Sequence, residues 1–532
     1  MRLPRLLCAA SLAVLAAVPV VAGPVGAASA GTGGTETVTG TVDVLAVDTA
    51  DAHDEHAGED DERLVTRTVV ASGNRLVSLP THLTTGLTSG DRVVVTLGAA
   101  RAGAPASSAP VLAVTELPGR VARAETGILG RHTLTVLPVH WGKPDGATVA
   151  SLGALARETA GYWSEQSAGR IRVLSSVRGW ARIADPRSCD SDALYTSALA
   201  AHRVAAPTSR LQHVLIYFPR RADCKWAGLG SIRGSLMWSN GWQLADVVAH
   251  EFGHNLGLGH AGTATCTGPR GRVSLSPGCA VAEYADGADV MGSASRMRSG
   301  NLNAALADHL GLARAVTAST TQRTVVDVAP LAQTSAVRAV RVAVPGGTVL
   351  LSLRPATGRD VRRPTWAGVQ VHLRTATSPP RSRLLDMQPW NSAAFGSPAL
   401  PLNAVWAVPG GGVSVRVTRL STASARIEVV PVAGDRTAPS PPVLSPGTRT
   451  GTLSGGAVVG WSAARDAGTG VAAYRVLLDG VPLAHLGATA RSMRLPALPA
   501  GRHVLRVLAV DGAGNTSSAR SPGAYVYGSP RA

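Results

Sequence analysis

The sequence predicts a multidomain chain: a central α/β domain, built as a mixed twisted sheet with one motif-bearing helix, flanked by all-β domains. Three observations point there. At 532 residues and 54.3 kDa the chain is long enough for roughly three or four domains of ~150 residues. Apolar residues with helical spacing fall within 127–315. Elsewhere short alternating apolar runs are punctuated by turn residues, in a chain that holds 59 Gly and 34 Pro overall. A composition of 45% apolar and 16% charged residues can fill several cores and excludes a mainly disordered chain.

Taken in order, residues 31–126 carry strand patterns at 38–47, 64–70, 92–97 and 111–117, which predict a small β domain. An acidic run at 48–62, containing His53 and His56, reads as a solvated, mobile loop. In 127–315 the pattern turns mixed. Residues 132–139, 170–177 and 213–218 alternate like strands, and 228–238 reads as one strand near the sheet edge. Val149, Leu152, Leu155, Ala156 and Trp163 are spaced for a helix over 147–167, and 190–204 reads as a second helix with Asp190 or Ser191 at its cap. Residues 316–434 alternate again, most clearly at 325–328, 337–344, 348–353 and 425–430, and a β-sandwich is the simplest packing answer. After the Pro-rich joint 435–442, residues 435–532 form a last β module, with strands near 457–461, 473–478 and 503–510.

The net charge of +17 raises nucleic acid as a partner, but Lys143 and Lys225 are the only lysines. The arginines are scattered, and no dense basic run is interleaved with aromatics, so nucleic acid is not expected. Residues 1–30 read as a secretory signal peptide: Arg2 and Arg5, an apolar stretch over 6–22, then the small residues Ala28-Ser29-Ala30. No later segment is long and apolar enough to span a bilayer, so the expected location is extracellular, with no membrane attachment after cleavage. Cleavage removes Cys8 and leaves Cys189, Cys224, Cys266 and Cys279. In an exported chain these predict two disulfides with three open pairings; Cys189–Cys224 and Cys266–Cys279 close the shortest loops.

The segment that carries chemistry is His250-Glu251-Phe252-Gly253-His254-Asn255-Leu256-Gly257-Leu258-Gly259-His260, a fit to His-Glu-x-x-His-x-x-Gly-x-x-His. Composition alone gives on the order of 10⁻⁵ such matches in a chain of this length, so the motif is specific. Trp242, Leu244, Val247, Val248, Phe252 and Leu256 predict an apolar helical stripe, with His250 and His254 on a face turned into a cleft. Gly257 permits a positive φ, so the chain can turn and return His260 as a third ligand. Three neutral nitrogens with an open fourth position favour one catalytic Zn²⁺. Glu251, one residue from the first ligand, is placed to act as general base and acid on a zinc-bound water attacking a peptide carbonyl.

These residues resemble the metzincin zinc endopeptidases. The resemblance makes Asp289-Val290-Met291-Gly292 a Met-turn, with Met291 as the apolar floor beneath the imidazoles. Residues 284–292, and Asn303-Ala304-Ala305 with His309-Leu310-Gly311-Leu312, look most like the gametolysin family. The resemblance covers 129–315 well and 316–434 loosely, and it makes 31–126 a propeptide. Ser293, two residues after Met291, argues against the extra tyrosine ligand of astacins and serralysins. With no cysteine in 31–126, a cysteine switch is excluded. That leaves His53 or an acidic neighbour as an alternative cap on the metal, against the ordinary expectation that such a charge run is solvated. Processing is expected between Arg120 and Arg131. The last module resembles fibronectin type III-like or Ig-like domains through Trp461, 466–471, Tyr474 and 509–515; Asp511 to Asn515 is read as a turn rather than a calcium loop.

The sequence thus predicts a secreted zinc metalloendopeptidase made as a zymogen. Its partners would be protein or peptide substrates, with polymer or matrix attachment as a role for the C-terminal β domains. The rival is an inactive metzincin used for extracellular adhesion or matrix binding.

Overall fold

The computed structural model describes residues 35–49, 65–100, 109–118 and 128–528, apart from 188, 269–270, 277, 294–298, 363, 391–394, 433, 446–455, 499–500 and 519–523. The predicted leader 1–30, His53, His56 and most of the 120–131 joint lie outside the described residues.

The N-terminal region supplies β1 (Glu36–Thr49), β2 (Thr66–Ser72), β3 (Arg75–Ser78), β4 (Arg92–Leu97) and β5 (Val111–Glu116). The next region supplies β6 (Gly130–His140), α1 (Val149–Gln166), β7 (Ile171–Val177), β8 (Ala181–Arg182), α2 (Ser191–His202), β9 (Gln212–Phe218), β10 (Trp226–Ile232), β11 (Leu236–Asn240) and α3 (Ala245–Asn255). These two regions share one sheet, in the order β3-β2-β1-β10-β11-β9-β6-β7. Strands β7, β6, β9 and β11 are mutually parallel, while β10 is antiparallel to β11 and β1 is antiparallel to β10.

Parallel strands are normally covered on both faces, and β9 is buried from His213 to Phe218. On one face α1 and α3 pack Leu152, Trp163, Val248 and Phe252 against Leu134, Val136, Leu215 and Met237. On the other, α2 packs Leu194, Tyr195 and Leu199 against Leu137, Ile216, Phe218 and Trp238. Both larger helices start where the side chains dictate. Thr148 and Ser151 form a reciprocal cap on α1, and the Asp190 carboxylate accepts the Asp192 and Ala193 amides at the start of α2. Trp163 Nε1 donates to the Ala249 carbonyl at 3.0 Å, pinning α1 to α3.

The chain continues through β12 (Ala261–Gly268), β13 (Gly271–Val273), β14 (Ala280–Ala282), α4 (Ala304–His309), β15 (Arg314–Thr317), β16 (Thr324–Val328), β17 (Val337–Val344), β18 (Gly347–Arg354), β19 (Gly368–Thr375), β20 (Ser382–Leu385), β21 (Val405–Ala407), β22 (Val413–Leu420) and β23 (Ala425–Pro431). A sheet ordered β13-β12-β20-β19-β18-β17-β15 faces a second ordered β16-β23-β22-β21. Their inward valines, leucines and isoleucines form one core. The first of these sheets reaches back to β12, directly after the histidine motif, so the sequence boundary at 315/316 runs through a shared sheet. A terminal two-sheet module holds β24 (Val458–Gly460), β25 (Val471–Leu478), β26 (Val481–Gly487), β27 (Ser492–Arg494), β28 (Gly501–Asp511) and β29 (Ala524–Gly528). Trp461 and Tyr474 sit in its core with ring centroids 5.8 Å apart.

Two disulfides, Cys189–Cys224 and Cys266–Cys279, have the pairing with the shortest loops. No helix among the described residues is long and apolar enough to cross a membrane.

Candidate metal centre

Helix α3 begins at Ala245, with Leu244 at its cap and 37% exposed. The predicted stripe is therefore shorter than expected: Trp242 and Leu244 precede the helix, and the buried face is Val247, Val248, Phe252 and then Leu256. One turn apart, His250 and His254 project together, their ring centroids 4.8 Å apart. Gly257 has φ +100°, a left-handed conformation that glycine adopts without penalty. The turn it makes brings the His260 ring to 5.4 Å from His250 and 5.0 Å from His254.

Each imidazole is aimed by its far nitrogen. His250 Nδ1 donates to the Val290 carbonyl at 2.8 Å, His254 Nδ1 to the Leu258 carbonyl at 2.8 Å, and His260 Nδ1 to Glu283 Oε1 at 3.1 Å. With their Nδ1 atoms donating outward, the three imidazoles turn Nε2 to the common centre, the orientation that metal-binding histidines use, and His260 Nε2 meets Asp48 Oδ1 there. His254 Nε2 and both Glu251 oxygens are buried without a hydrogen bond. Buried polar atoms left this way are costly unless a ligand meets them, and the three-nitrogen donor set suits a metal ion.

The centre is not an open cleft. The Asp48 carboxylate, from β1, occupies it. Its Oδ1 lies 2.9 Å from His260 Nε2, and its Oδ2 lies 3.4 Å from both His250 Nε2 and His254 Nε2. This corrects the sequence reading, which placed Asp48 in a solvated charge run: Asp48 is fully buried, and β1 extends through it to Thr49. Asp48, His250, His254 and His260 form one cluster with ligand atoms within 4.8 Å of one another. The expected open fourth position is thus filled by a side chain 212 residues before His260 in sequence.

Three further residues complete the site, and the motif did not disclose them. Tyr284, at φ +61°, donates its hydroxyl to Asp48 Oδ1 at 2.8 Å, and its ring lies 3.9 Å from that of His260. Strand β10 carries Gly228 and Gly230 where Glu251 needs room. A Cβ at 228 would stand 1.9 Å from Glu251 Oε1, and one at 230 would stand 2.8 Å from Glu251 Oε2. The alternating glycines of Ala227-Gly228-Leu229-Gly230 were the available sequence signal.

Electrostatics follow burial and proximity. Burial, then the charge of Asp48, pushes Glu251 well above the usual carboxylate range. Burial also raises Asp48, but the imidazoles of His250 and His254 outweigh it and hold the carboxyl well below that range. Burial lowers His254 to about 4. Burial likewise lowers His260, but hydrogen bonds to Asp48 and Glu283 leave it raised. Tyr284 is pushed well up by burial and by Asp48.

Beneath the centre, Met291 is fully buried. It lies so close under α3 that a Cβ at Gly253 would stand 2.3 Å from its Sδ. Its carbonyl accepts the Ala261 amide at 2.7 Å, beside His260, while the preceding Val290 carbonyl holds His250. The turn therefore packs against α3 and aims the His250 imidazole.

Residues 186–352 match the gametolysin peptidase M11 family. That segment is similar to gametolysin-type metallopeptidases. Its match runs from just before α2 into β18, across the 315/316 boundary and through every histidine of the centre. No curated protein matches the chain. Among solved structures, the spore cortex lytic enzyme SleM of Clostridium perfringens aligns at 15% identity and a TM-score of 0.14. The aligned part covers 21% of this chain and 38% of that one, and so weak a likeness carries no argument.

In the terminal module, Asp435, Asp466 and Asp511 also converge. Their oxygens accept the amides of Thr469, Gly470 and Asn515 at 2.7, 2.7 and 2.8 Å, which accounts for them as turn-forming groups.

Proposed function

We propose that the chain is a secreted zinc metalloendopeptidase, made with its N-terminal β domain as a propeptide. The observation that carries this reading is the convergence of three Nε2 atoms, each backed by an Nδ1 hydrogen bond, beside the buried carboxylate of Glu251. His250, His254 and His260 would hold Zn²⁺. Bound there, Zn²⁺ supplies a Lewis acid that polarises a peptide carbonyl and acidifies a water.

The remaining work falls to the chain. Glu251, in its buried slot beside Gly228 and Gly230, takes the proton of the attacking water and passes it to the leaving amine. Its raised proton affinity suits a group that must accept and then return a proton. Tyr284 donates to the oxygen seated where Asp48 Oδ1 now sits, which is the place for the scissile carbonyl oxygen. Once β1 has left with the propeptide, strand β10 offers the edge that β1 now covers to an extended peptide. Met291 and the Val290 carbonyl keep His250 in place. Secretion accords with the two disulfides and the N-terminal sequence. The adhesion reading is not favoured, because Glu251 and the space kept free for it have no purpose there.

The test is elemental analysis of the purified chain reloaded with zinc, followed by limited proteolysis in 120–131 and a cleavage assay on an unfolded protein. One zinc per chain and chelator-sensitive cleavage are expected, with Glu251→Ala keeping the metal and losing the cleavage. A chain that takes up no zinc overturns the reading.

A further inference from the structure

We propose that β1 is a built-in substrate surrogate: Asp48 serves as the fourth protein ligand of the metal at His250, His254 and His260, and the backbone around it fills the peptide-binding edge of β10. The inference rests on the metallopeptidase reading above and adds how the site is kept silent.

The first argument is charge. Asp48 and Glu251 are both fully buried, and three imidazoles surround Asp48. Two carboxylates packed together away from water are strongly unfavourable unless one of them takes up a proton or a cation lies between them. A divalent ion at the Nε2 centre would neutralise them both and would meet Asp48 Oδ2 and His254 Nε2, which have no hydrogen-bond partner among the described residues.

The second argument is register. Strand β1 runs antiparallel to β10, pairing Val44 with Ile232, Leu45 with Ser231, Ala46 with Gly230, Val47 with Leu229 and Asp48 with Gly228. Gly228 is the residue that makes room for Glu251. Thus the β1 residue opposite the general base carries the carboxylate, and the ladder on either side is the one an extended peptide would use. The pairing is irregular between Asp48 and Thr49, so the regular ladder ends where the metal centre begins.

The third argument is the division of the two carboxylate oxygens. Oδ1 accepts from Tyr284 and faces His260, while Oδ2 faces His250 and His254. A planar carboxylate so placed imitates two oxygens on a carbon under attack, held by the groups that would hold the reacting peptide.

The surrogate is also anchored. Strand β1 pairs with β2 and β4 as well as β10. The same small domain docks on α2 and the loop after it through Ser78 to Asp192 at 2.6 Å, Arg67 to Ser191 at 3.1 Å and Ala206 to Asn74 at 2.9 Å. Release of Asp48 therefore requires departure of a domain rather than the swing of a loop.

The experiment uses the full chain loaded with Co²⁺ in place of zinc, read by visible absorption and by relaxation of bulk-water protons, with acetohydroxamate as the probe for an open metal position. Wild type should show no exchangeable water on the cobalt and little spectral response to acetohydroxamate. Asp48→Ala and the isosteric Asp48→Asn should shift the cobalt bands and bind the probe at least tenfold more tightly. Asp327→Asn, on the remote β16, should match wild type. Exchangeable water on wild-type cobalt, or identical spectra and probe affinity in wild type and both Asp48 variants, overturns the inference while leaving the metallopeptidase reading standing. Failure of the wild-type chain to take up cobalt overturns both. The water measurement needs no variant, so it decides even if neither Asp48 variant folds.

Discussion

Gly228 faces Glu251 so closely that a single methyl group at position 228 would fall 1.9 Å from the carboxylate. Space, as much as the carboxylate itself, defines the proposed general base. Gly228→Ala is therefore expected to displace Glu251 while leaving the three histidines intact. The processed enzyme should keep one metal per chain and lose about 10²–10³ in kcat. Metal analysis alongside peptide hydrolysis checks this, and full activity would show that Glu251 is not held by that wall.

Tyr284 meets the site through one hydroxyl. Tyr284→Phe removes the donor that now contacts Asp48 Oδ1 and keeps the ring that packs on His260. The expected result in the processed enzyme is a loss of about 10²-fold in kcat with KM little changed. A change confined to KM would assign the residue to ground-state binding instead.

His213 links the sheet to the motif helix, through Nδ1 to Asn255 Oδ1 at 2.8 Å and Nε2 to His132 at 2.9 Å. Burial pulls it from its ordinary value of 6.5 to about 3. The unfolded chain binds this proton near pH 6.5 and the folded chain only near pH 3. Its stabilising contribution is thus complete above pH 6.5 and is lost as pH falls from 6.5 towards 3. Between pH 7 and 4.5, urea unfolding of wild type should lose about 2–3 kcal/mol more than that of His213→Gln. Equal losses would place the acid sensitivity elsewhere.

Arg354 joins the sandwich to the segment after the Met-turn. Fully enclosed, it pairs with Asp360, donates to Gln370 Oε1 at 2.9 Å and to the Asn301 carbonyl at 2.9 Å, while Asp360 accepts the Asn301 amide at 3.0 Å. Arg354→Met leaves the Asp360 carboxylate buried without its cation. A loss of about 3–5 kcal/mol is expected, measurable as a lower unfolding midpoint, with a looser metal centre in the same variant.

Much of this arrangement is written locally in the chain. The 92–97 and 337–344 runs, rich in valine, become β4 and β17 over those same residues. Asp190 caps α2 as its side chain predicts. The three histidines are brought together by the helical repeat and one glycine, both of which spacing can express. The 228–238 run, read as one strand, divides into β10 and β11 because Arg233, at φ +56°, and Gly234 turn the chain between them. The sequence offered Asp48 only as one of several acidic neighbours of His53, and Tyr284 only as part of a family-like stretch, for a different reason. Neither belongs to a local pattern, and only the pairing of β1 with β10 and the turn before Met291 carry them to the centre. An acidic run looks solvated from composition alone; which of its members lies at the end of a paired strand is a fact of long-range register.

The pairing of β1 with β10 has a further consequence for the processed enzyme proposed above. Once β1 departs, a row of unsatisfied main-chain amides and carbonyls is laid bare along one margin of the molecule. Such a hem welcomes any extended segment, which is useful to a protease hunting unfolded chains and hazardous where liberated copies crowd together. The cast-off domain, while it persists intact, would be the gentlest cover for that margin, so its own destruction would set the pace at which the enzyme becomes fully free.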